Sequence, residues 1–118
     1  MPTTIVLQQA GPLPISTTFS LPFSATPAVL VVYGSVWTQR ANAMIGCQVS
    51  IDGSVMGTAS VFSNTPSTHR QFTPYAVQLQ DDTASATSPP ESVTLQLTAA
   101  SPYTVSDSND SYLVLLHH

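Results

Sequence analysis

The sequence predicts an all-β protein folded as an antiparallel β-sandwich of jelly-roll-like type. Ten prolines punctuate the chain, the apolar runs are about four to eight residues long, and apolar residues never recur with helical spacing over three turns. About eight short strands separated by turn signals are typical of a sandwich or jelly roll. The predicted strands cover residues 3–8, 15–21, 28–37, 43–51, 54–62, 70–80, 92–99 and 111–117.

Three of these strands indicate which faces are buried. Strand 28–37, "AVLVVYGSVW", is apolar on both faces, so it lies either in the centre of the core or at an interface between subunits. In strand 70–80 the segment "YAVQL" alternates, and Pro74 before it indicates an edge or a bulge. In strand 92–99, "SVTLQLTA", Val and Leu alternate with Thr and Gln, which predicts one buried face.

The clearest local signal is a β-hairpin made by strands 43–51 and 54–62. Its turn, Asp52-Gly53, suits a type I′ turn, because both central positions of that turn need positive φ, which Asp and Gly tolerate. Three glycines inside strands mark bulges or close backbone approaches. These glycines are Gly34, Gly46 and Gly57. The stretch 81–91, "DDTASATSPPE", predicts a polar loop.

Length and charge restrict the kinds of partner. The 118 residues predict one domain, residues 1–118, with 42% hydrophobic and only 7% charged residues. The chain has no lysine, its only basic residues are Arg40 and Arg70, and its net charge is −4. Such a chain cannot neutralise a row of phosphates, so we expect no nucleic-acid partner, and anionic membrane surfaces are disfavoured as well.

The N-terminal segment "MPTTIVLQQAGPLPIS" has neither the basic start nor the apolar stretch of a signal peptide. Apolar runs also stay well below the ~18 residues of a membrane span. We therefore expect a soluble protein without membrane insertion, either made in the cytoplasm without a signal peptide or exported by another route, with a virion or cell surface as its possible place after assembly. The single Cys47 cannot form an internal disulfide, which agrees with a reducing compartment.

The loop "SNTPSTHRQF" carries the first candidate for a ligand-binding surface. His69 and Arg70, with the nearby Asn64, could hold a sugar hydroxyl or a carboxylate. The alternative is structural: His69 hydrogen bonds to backbone within the loop, and Arg70 pairs with one of the six acids. The sequence favours the structural alternative but leaves this loop as the best surface candidate.

The segment "SVWTQRANAM" carries a second candidate. Trp37 followed by Arg40 could form a stacking surface of the kind that binds sugars. The competing interpretation places Trp37 at the end of a core strand, with its indole N–H donated to a neighbouring carbonyl, and the sequence favours it.

The segment "SDSNDS" concentrates oxygen ligands in a short loop. Asp107, Asn109 and Asp110 could bind calcium, yet the Gly and the distal Glu of an EF-hand loop are missing. Asx turns explain the composition equally well. We therefore predict no metal site, with these three residues as the weak candidate, and no cofactor.

Catalytic motifs give no support for an enzyme. Cys47 with His69 could in principle form a nucleophile and base, but Cys47 lies inside an alternating strand, where a buried structural cysteine is expected. The chain has no G-x-S-x-G sequence, and its acids form no natural pair across a cleft. We predict a protein that is not an enzyme.

Three segments, "YGSVWTQRANAMIGCQVSIDGSVMGTASVFSN", "HRQF" and "TVSDSNDSYLVLL", together resemble the C1q and tumour-necrosis-factor-like jelly-roll modules of bacterial and phage surface proteins. The resemblance covers roughly residues 28–117 and is one of pattern. It implies a homotrimer whose apolar strand faces pack around a threefold axis, with loops at one end free to bind.

Two functions from different classes are compatible with these features. The first is a structural protein of a virion or similar particle, a capsid-decoration or fibre-type module whose partners are itself and capsid proteins. The absence of a signal peptide and of disulfides and the neutral Ser/Thr-rich surface favour it. The alternative is a lectin-like module that binds glycans as an oligomer, because several linked weak sites multiply affinity.

Overall fold

The computed structural model describes residues 2–20, 28–79 and 92–118, and in these residues it contains strands but no helix. The all-β sandwich prediction is confirmed, with two antiparallel sheets. The predicted loop 81–91 and the predicted strand ends Leu21 and Gln80 lie outside the described residues. The described part has no helix long and apolar enough to cross a membrane. The strands are β1 (Thr3–Ala10), β2 (Ile15–Ser20), β3 (Ala28–Val36), β4 (Ala43–Ile51), β5 (Ser54–Ser63), β6 (Arg70–Gln71), β7 (Tyr75–Leu79), β8 (Ser92–Ala99) and β9 (Ser111–His117).

The strand order is that of a jelly roll. One sheet has the order β1-β9-β3-β6, with β7 also paired with β3, and the other has the order β2-β8-β4-β5. Strands β6 and β7 pair with successive segments of β3, so they share one position at the edge of the five-stranded sheet. Apart from the hairpin β4–β5 and the step from β6 to β7, each connection passes from one sheet to the other. Crossing connections of this kind build the paired Greek keys of a jelly roll.

The predicted strand 70–80 is divided in the structure. Arg70 and Gln71 pair with the end of β3, the Phe72 N–H still donates to the Gly34 carbonyl at 3.1 Å, and the strand ladder resumes at Tyr75. Between them Phe72 turns into the core, where it is 3% exposed, and Pro74 follows in the gap. Proline has no N–H to donate to a ladder, which explains why the strand is interrupted there.

The core lies between the sheets and follows the predicted alternation. Val93, Leu95 and Leu97 of β8 are all buried, as are Val77 and Leu79 of β7. Strand β3 lies in the middle of its sheet, between β9 and the β6–β7 edge. Its inner apolar side chains are buried, whereas on the outer face Val29 and Val31 are half-buried and Tyr33 is exposed. The central position of β3 explains its buried inner face, and its apolar outer face is not covered by the rest of the described chain.

The β4–β5 hairpin turns as predicted. Asp52 and Gly53 have φ values of 51° and 84°, so both central positions are in the left-handed region. Asp52 also anchors the turn to β8, because its backbone N–H donates to the Thr94 carbonyl and its Oδ1 accepts the Thr94 N–H, both at 2.9 Å.

The three strand glycines leave room for close contacts, and at Gly46 the contact is with backbone, as predicted. A Cβ on Gly46 would lie 1.9 Å from the carbonyl oxygen of Ala59 in the paired strand. A Cβ on Gly57 would meet the ring of Tyr75, and one on Gly34 would meet the rings of Tyr112 and Phe72. These positions let β5 pack closely on β4 and let aromatic rings enter the core.

Candidate functional site

Segments distant in sequence meet at one end of the five-stranded sheet. They are the end of β3, the loop 64–69 between β5 and β6, and the loop 100–110 between β8 and β9. Trp37 pairs with Val105 as an isolated bridge, which holds the second loop against the end of β3. The first loop is attached by the Ser67 N–H, which donates to the Thr38 carbonyl at 2.7 Å. Most of the predicted site residues lie on these three segments.

The carboxylate of Asp110 is the centre of this region. It is 0% exposed, and Oδ1 accepts a hydrogen bond from Ser35 Oγ at 2.9 Å. The same oxygen lies 2.7 Å from His69 Nδ1, and Oδ2 accepts the backbone N–H of Asp107 at 3.0 Å. A buried carboxylate is tolerated only when its oxygens are satisfied, and here three donors from three segments satisfy them. We call Asp110, Ser35, His69, Asp107 and Trp37 the Asp110 network.

His69 is the titratable partner in this network. Its side chain is 36% exposed, while the carboxylate it contacts is fully buried. The hydrogen bond to Asp110, reinforced by the negative charges of Asp110 and Asp107, raises the pKa of His69 above its ordinary value, although burial acts in the opposite direction. The protonated imidazole is thus favoured, and its Nδ1–H donates to the carboxylate.

Trp37 joins the network through its indole. Its Nε1–H donates to Asp107 Oδ2 at 3.1 Å, so the acceptor is a carboxylate and not a backbone carbonyl. Its ring centroid lies 5.7 Å from that of His69, with the planes tilted by 39°. Asp107 Oδ1 accepts the backbone N–H of Asn109 at 2.8 Å, which is an Asx turn. Trp37 is half-buried, and its hydrogen bond to Asp107 holds the indole in place just after the end of β3.

The two arginines lie in different surroundings. The guanidinium carbon of Arg40 lies 4.5 Å from the ring centroid of Tyr103, a cation–π arrangement. Arg70 Nη2 donates to Asn64 Oδ1 at 3.2 Å, so its partner is an amide, while His69 is the residue that pairs with an acid. Arg70 Nε is buried and has no hydrogen-bond partner among the described residues.

The geometry also bears on the candidate metal ligands. His69, Asp107 and Asp110 each offer a ligand atom, and these atoms lie within 4.8 Å of one another. All four carboxylate oxygens already accept hydrogen bonds from protein donors. The backbone N–H of Asn109 is one of these donors.

Two residues of this region carry no signal in the sequence. Ser35 lies in an apolar strand 75 residues away from Asp110, and only the antiparallel pairing of β3 with β9 brings them together. Tyr103 meets Arg40 for the same kind of reason, across a loop connection. Neither pairing follows from spacing or composition.

Cys47 is a structural residue, as predicted. It is 0% exposed in β4, and burial raises the pKa of its thiol to about 12. A thiol that stays protonated at neutral pH is a poor nucleophile. Its side chain is best described as part of the apolar core.

Comparisons with known proteins identify no relative: no protein-family model matches this chain, and no curated protein is significantly similar to it. The jelly-roll strand order is therefore established by the structure alone, and the resemblance to C1q and tumour-necrosis-factor-like modules stays a prediction.

Proposed function

We propose that this protein is a non-enzymatic structural module of a virion or similar particle, of the capsid-decoration or fibre type, and that it acts as a homotrimer. It is made in the cytoplasm and joins the particle by assembly, with copies of itself and capsid proteins as partners. The observation that carries the proposal is an uncharged apolar surface on the outer face of the five-stranded sheet.

This surface consists of side chains from three neighbouring strands. Ile5, Leu115 and Val31 are partners across β1, β9 and β3, so they form one row on the same side. Val29 lies in the next row on β3. Residues adjacent to them in sequence, such as Leu116 and Leu30, point into the core and are buried. We call Ile5, Val29, Val31 and Leu115 the assembly face.

The exposure of the assembly face supports a partner. Ile5 is 58% exposed, and Val29, Val31 and Leu115 are half-buried although they lie outside the core. Scattered exposed apolar residues are common, whereas a contiguous row on a flat sheet is typical of a surface that packs against another protein.

The charge distribution favours a second copy of the same chain as that partner. Strands β1, β3, β7 and β9 contain no Asp, Glu, Lys or Arg. Two such faces can meet without burying an unpaired charge, although each copy carries a net charge of −4. Closed symmetric assemblies of identical chains use self-complementary or cyclically repeated patches of this kind.

A non-enzymatic role is supported by the contacts that the potentially reactive side chains make within the fold. Within the described residues, the Asp110 carboxylate and His69 bond to each other, and Asp107 holds Trp37. The Cys47 thiol is in the core. These four reactive side chains, His69, Asp107, Asp110 and Cys47, thus stabilise the fold.

The assembly proposal is tested by two variants that change residues of almost equal exposure. Ile5 on the assembly face is 58% exposed, and Val55 on the other sheet is 59% exposed. Sedimentation velocity of Ile5→Glu should give a monomer, because assembly would bury the new charge, while Val55→Glu keeps the wild-type mass. Equal masses for both variants and the wild type would refute the role of this face.

The virion part of the proposal needs a separate measurement. The protein should be found by mass spectrometry in density-gradient-purified particles from its source, at a constant ratio to the main capsid protein. Its complete absence from such particles would contradict a virion role while leaving self-association intact.

The second candidate function is a lectin-like module that binds glycans as an oligomer. The observation that favours it is the side-chain pair of Arg70 and Asn64, in which Nη2 donates to Oδ1 at 3.2 Å in the candidate loop. Guanidinium and amide groups together offer several donors and an acceptor to the hydroxyl groups of a sugar. A glycan array screened with the wild type and with Asn64→Ala and His69→Ala tests this function. The expected result is a reproducible glycan hit with the wild type, and weakening by both substitutions would locate the ligand at this loop.

A further inference from the structure

A concave surface lies on the outer face of the five-stranded sheet, directly beside the assembly face. It is a depression of about 370 Å³ whose size is within the usual range of small-molecule sites. Tyr33 and Leu113 are partners across β3 and β9, and Gln8 is the partner of Leu113 on β1, so these three side chains form one row. Ser35, Gln71 and Ser111 also line the depression.

The chemistry of the lining is uncharged and mixed. Tyr33 keeps 36% of its surface exposed and lies beside Leu113, which provides an apolar area. Two primary amides, from Gln8 and Gln71, and hydroxyl groups from Ser35 and Ser111 surround that area. An amide both donates and accepts hydrogen bonds, as vicinal hydroxyl groups require, and an aromatic ring can pack against the C–H groups of a pyranose.

Ser35 couples the depression to the Asp110 network. Its hydroxyl proton is donated to Asp110 Oδ1 at 2.9 Å, so the lone pairs of Ser35 Oγ are left as the acceptor for a ligand. A donor that already bonds to a buried carboxylate is polarised, which strengthens the next hydrogen bond that its oxygen accepts. The depression therefore has one acceptor of defined orientation in addition to its amides.

From these features we infer that the depression is a binding site for a neutral saccharide, with Tyr33 as the stacking residue and Gln8, Gln71 and Ser35 as the hydroxyl-binding groups. This inference rests on the second of the proposed functions, glycan binding, but places the ligand away from Asn64 and Arg70. None of the described residues that line the depression is Asp, Glu, Lys or Arg, so a sialylated, sulfated or phosphorylated ligand would gain no ion pair from them.

The test uses the full chain and four neutral probes: maltotriose, cellotriose, mannotriose and tri-N-acetylchitotriose. Saturation-transfer NMR identifies binding, and calorimetric titration measures the affinity. At least one probe should bind saturably with a Kd at or below about 1 mM. Tyr33→Ala should weaken that binding about tenfold, whereas Tyr33→Phe keeps it because the ring remains.

Matched variants locate the site. Tyr103 is 45% exposed but contacts Arg40 elsewhere, so Tyr103→Ala should leave the affinity unchanged. Gln8→Ala, on the exposed edge strand, should weaken binding, and it serves as the second test should Tyr33→Ala fail to fold. Absence of saturable binding to all four probes would overturn this inference. It would be overturned equally by binding that survives both Tyr33→Ala and Gln8→Ala.

Different experimental outcomes would refute the glycan-binding function and the location of its site. Saturable binding that Asn64→Ala abolishes and Tyr33→Ala leaves intact would keep the lectin-like function and refute the depression as its site. The sedimentation mass of the same samples reports self-association independently, so neither result depends on the assembly proposal.

Discussion

Removing the Asp110 carboxylate should destabilise the protein more than any other single change to a polar side chain of the described loops. Asp110→Ala takes away an acceptor that is 0% exposed and that receives the hydroxyl of Ser35, the N–H of Asp107 and the imidazole of His69. The donors stay behind, and a buried donor without an acceptor costs about 1–3 kcal/mol.

The magnitude follows from how accessible each donor is to water. His69 is 36% exposed and can bond to solvent once its partner is gone, so we count only the donors from Ser35 and Asp107, which are half-buried. Two such donors give a loss of about 3 kcal/mol, within the range of about 3–5 kcal/mol for breaking a buried pair. Asp110→Asn keeps the volume and one acceptor oxygen, so its cost should be smaller, about 1–2 kcal/mol.

Urea unfolding followed by the fluorescence of Trp37, the single tryptophan, measures this loss. With a urea slope of about 1–3 kcal/mol/M, the midpoint of Asp110→Ala should fall by about 1–3 M. All samples need one protein concentration, because self-association would make apparent stability depend on it.

Asn109→Ala is the matched control for Asp110. Its side chain is exposed, and only its backbone N–H enters the network, so the substitution should change stability by less than about 0.5 kcal/mol. If Asp110→Ala is within about 1 kcal/mol of the wild type, the carboxylate does not hold the three segments together and the reasoning is wrong.

Three further predictions follow from the described contacts. The stability difference between wild type and His69→Gln should be largest below pH ~6.5 and should shrink as pH rises through the raised pKa of His69, because the charged imidazole gains more from the Asp110 carboxylate than the neutral one does; a difference that grows with pH would contradict this. Gly46→Ala should lower the free energy of unfolding by about 3 kcal/mol or more, because its Cβ would meet the Ala59 carbonyl oxygen. Gly53→Ala has open space around its Cβ but a φ of 84°, so it should cost only about 1 kcal/mol. Equal urea midpoints for the two variants would refute the close approach at Gly46. Tyr75→Phe removes the hydroxyl that donates to the Met56 carbonyl at 2.9 Å, and it should lower the free energy of unfolding by about 1 kcal/mol. An unchanged urea midpoint would mean that this hydrogen bond contributes no net stability, because water replaces it equally well.

The strands were predictable because each depends on a short-range pattern. The alternation in β8 identifies its buried face without knowledge of any neighbour, since side chains in a strand have a period of two. The turn at Asp52 and Gly53 is equally local, because the turn type requires two residues that tolerate positive φ. Such features can be predicted without knowing which strands pair with each other.

The break in the predicted strand 70–80 was only half predictable. Pro74 signalled an irregularity, but the inward turn of Phe72 depends on the space that Gly34 leaves on the neighbouring strand β3. That space exists only after β3 and the edge strands have paired. A pattern read along one strand therefore could not separate β6 from β7.

The contacts of the Asp110 network could not be predicted from the sequence for a related reason. Asp110 meets His69 across 41 residues and Ser35 across 75, so no spacing rule connects them. The sequence could show that His69 and Asp110 lie in polar loops. Only the jelly-roll connections place both loops over the end of β3, where one carboxylate can receive donors from three segments.

The central claim is self-association through the assembly face, and the mass of the wild-type chain in solution tests it most directly. The monomer is 12.5 kDa. Sedimentation equilibrium at micromolar concentration should give a homotrimer, three times that mass, which dissociates in Ile5→Glu. A 12.5 kDa species at every concentration would contradict the account.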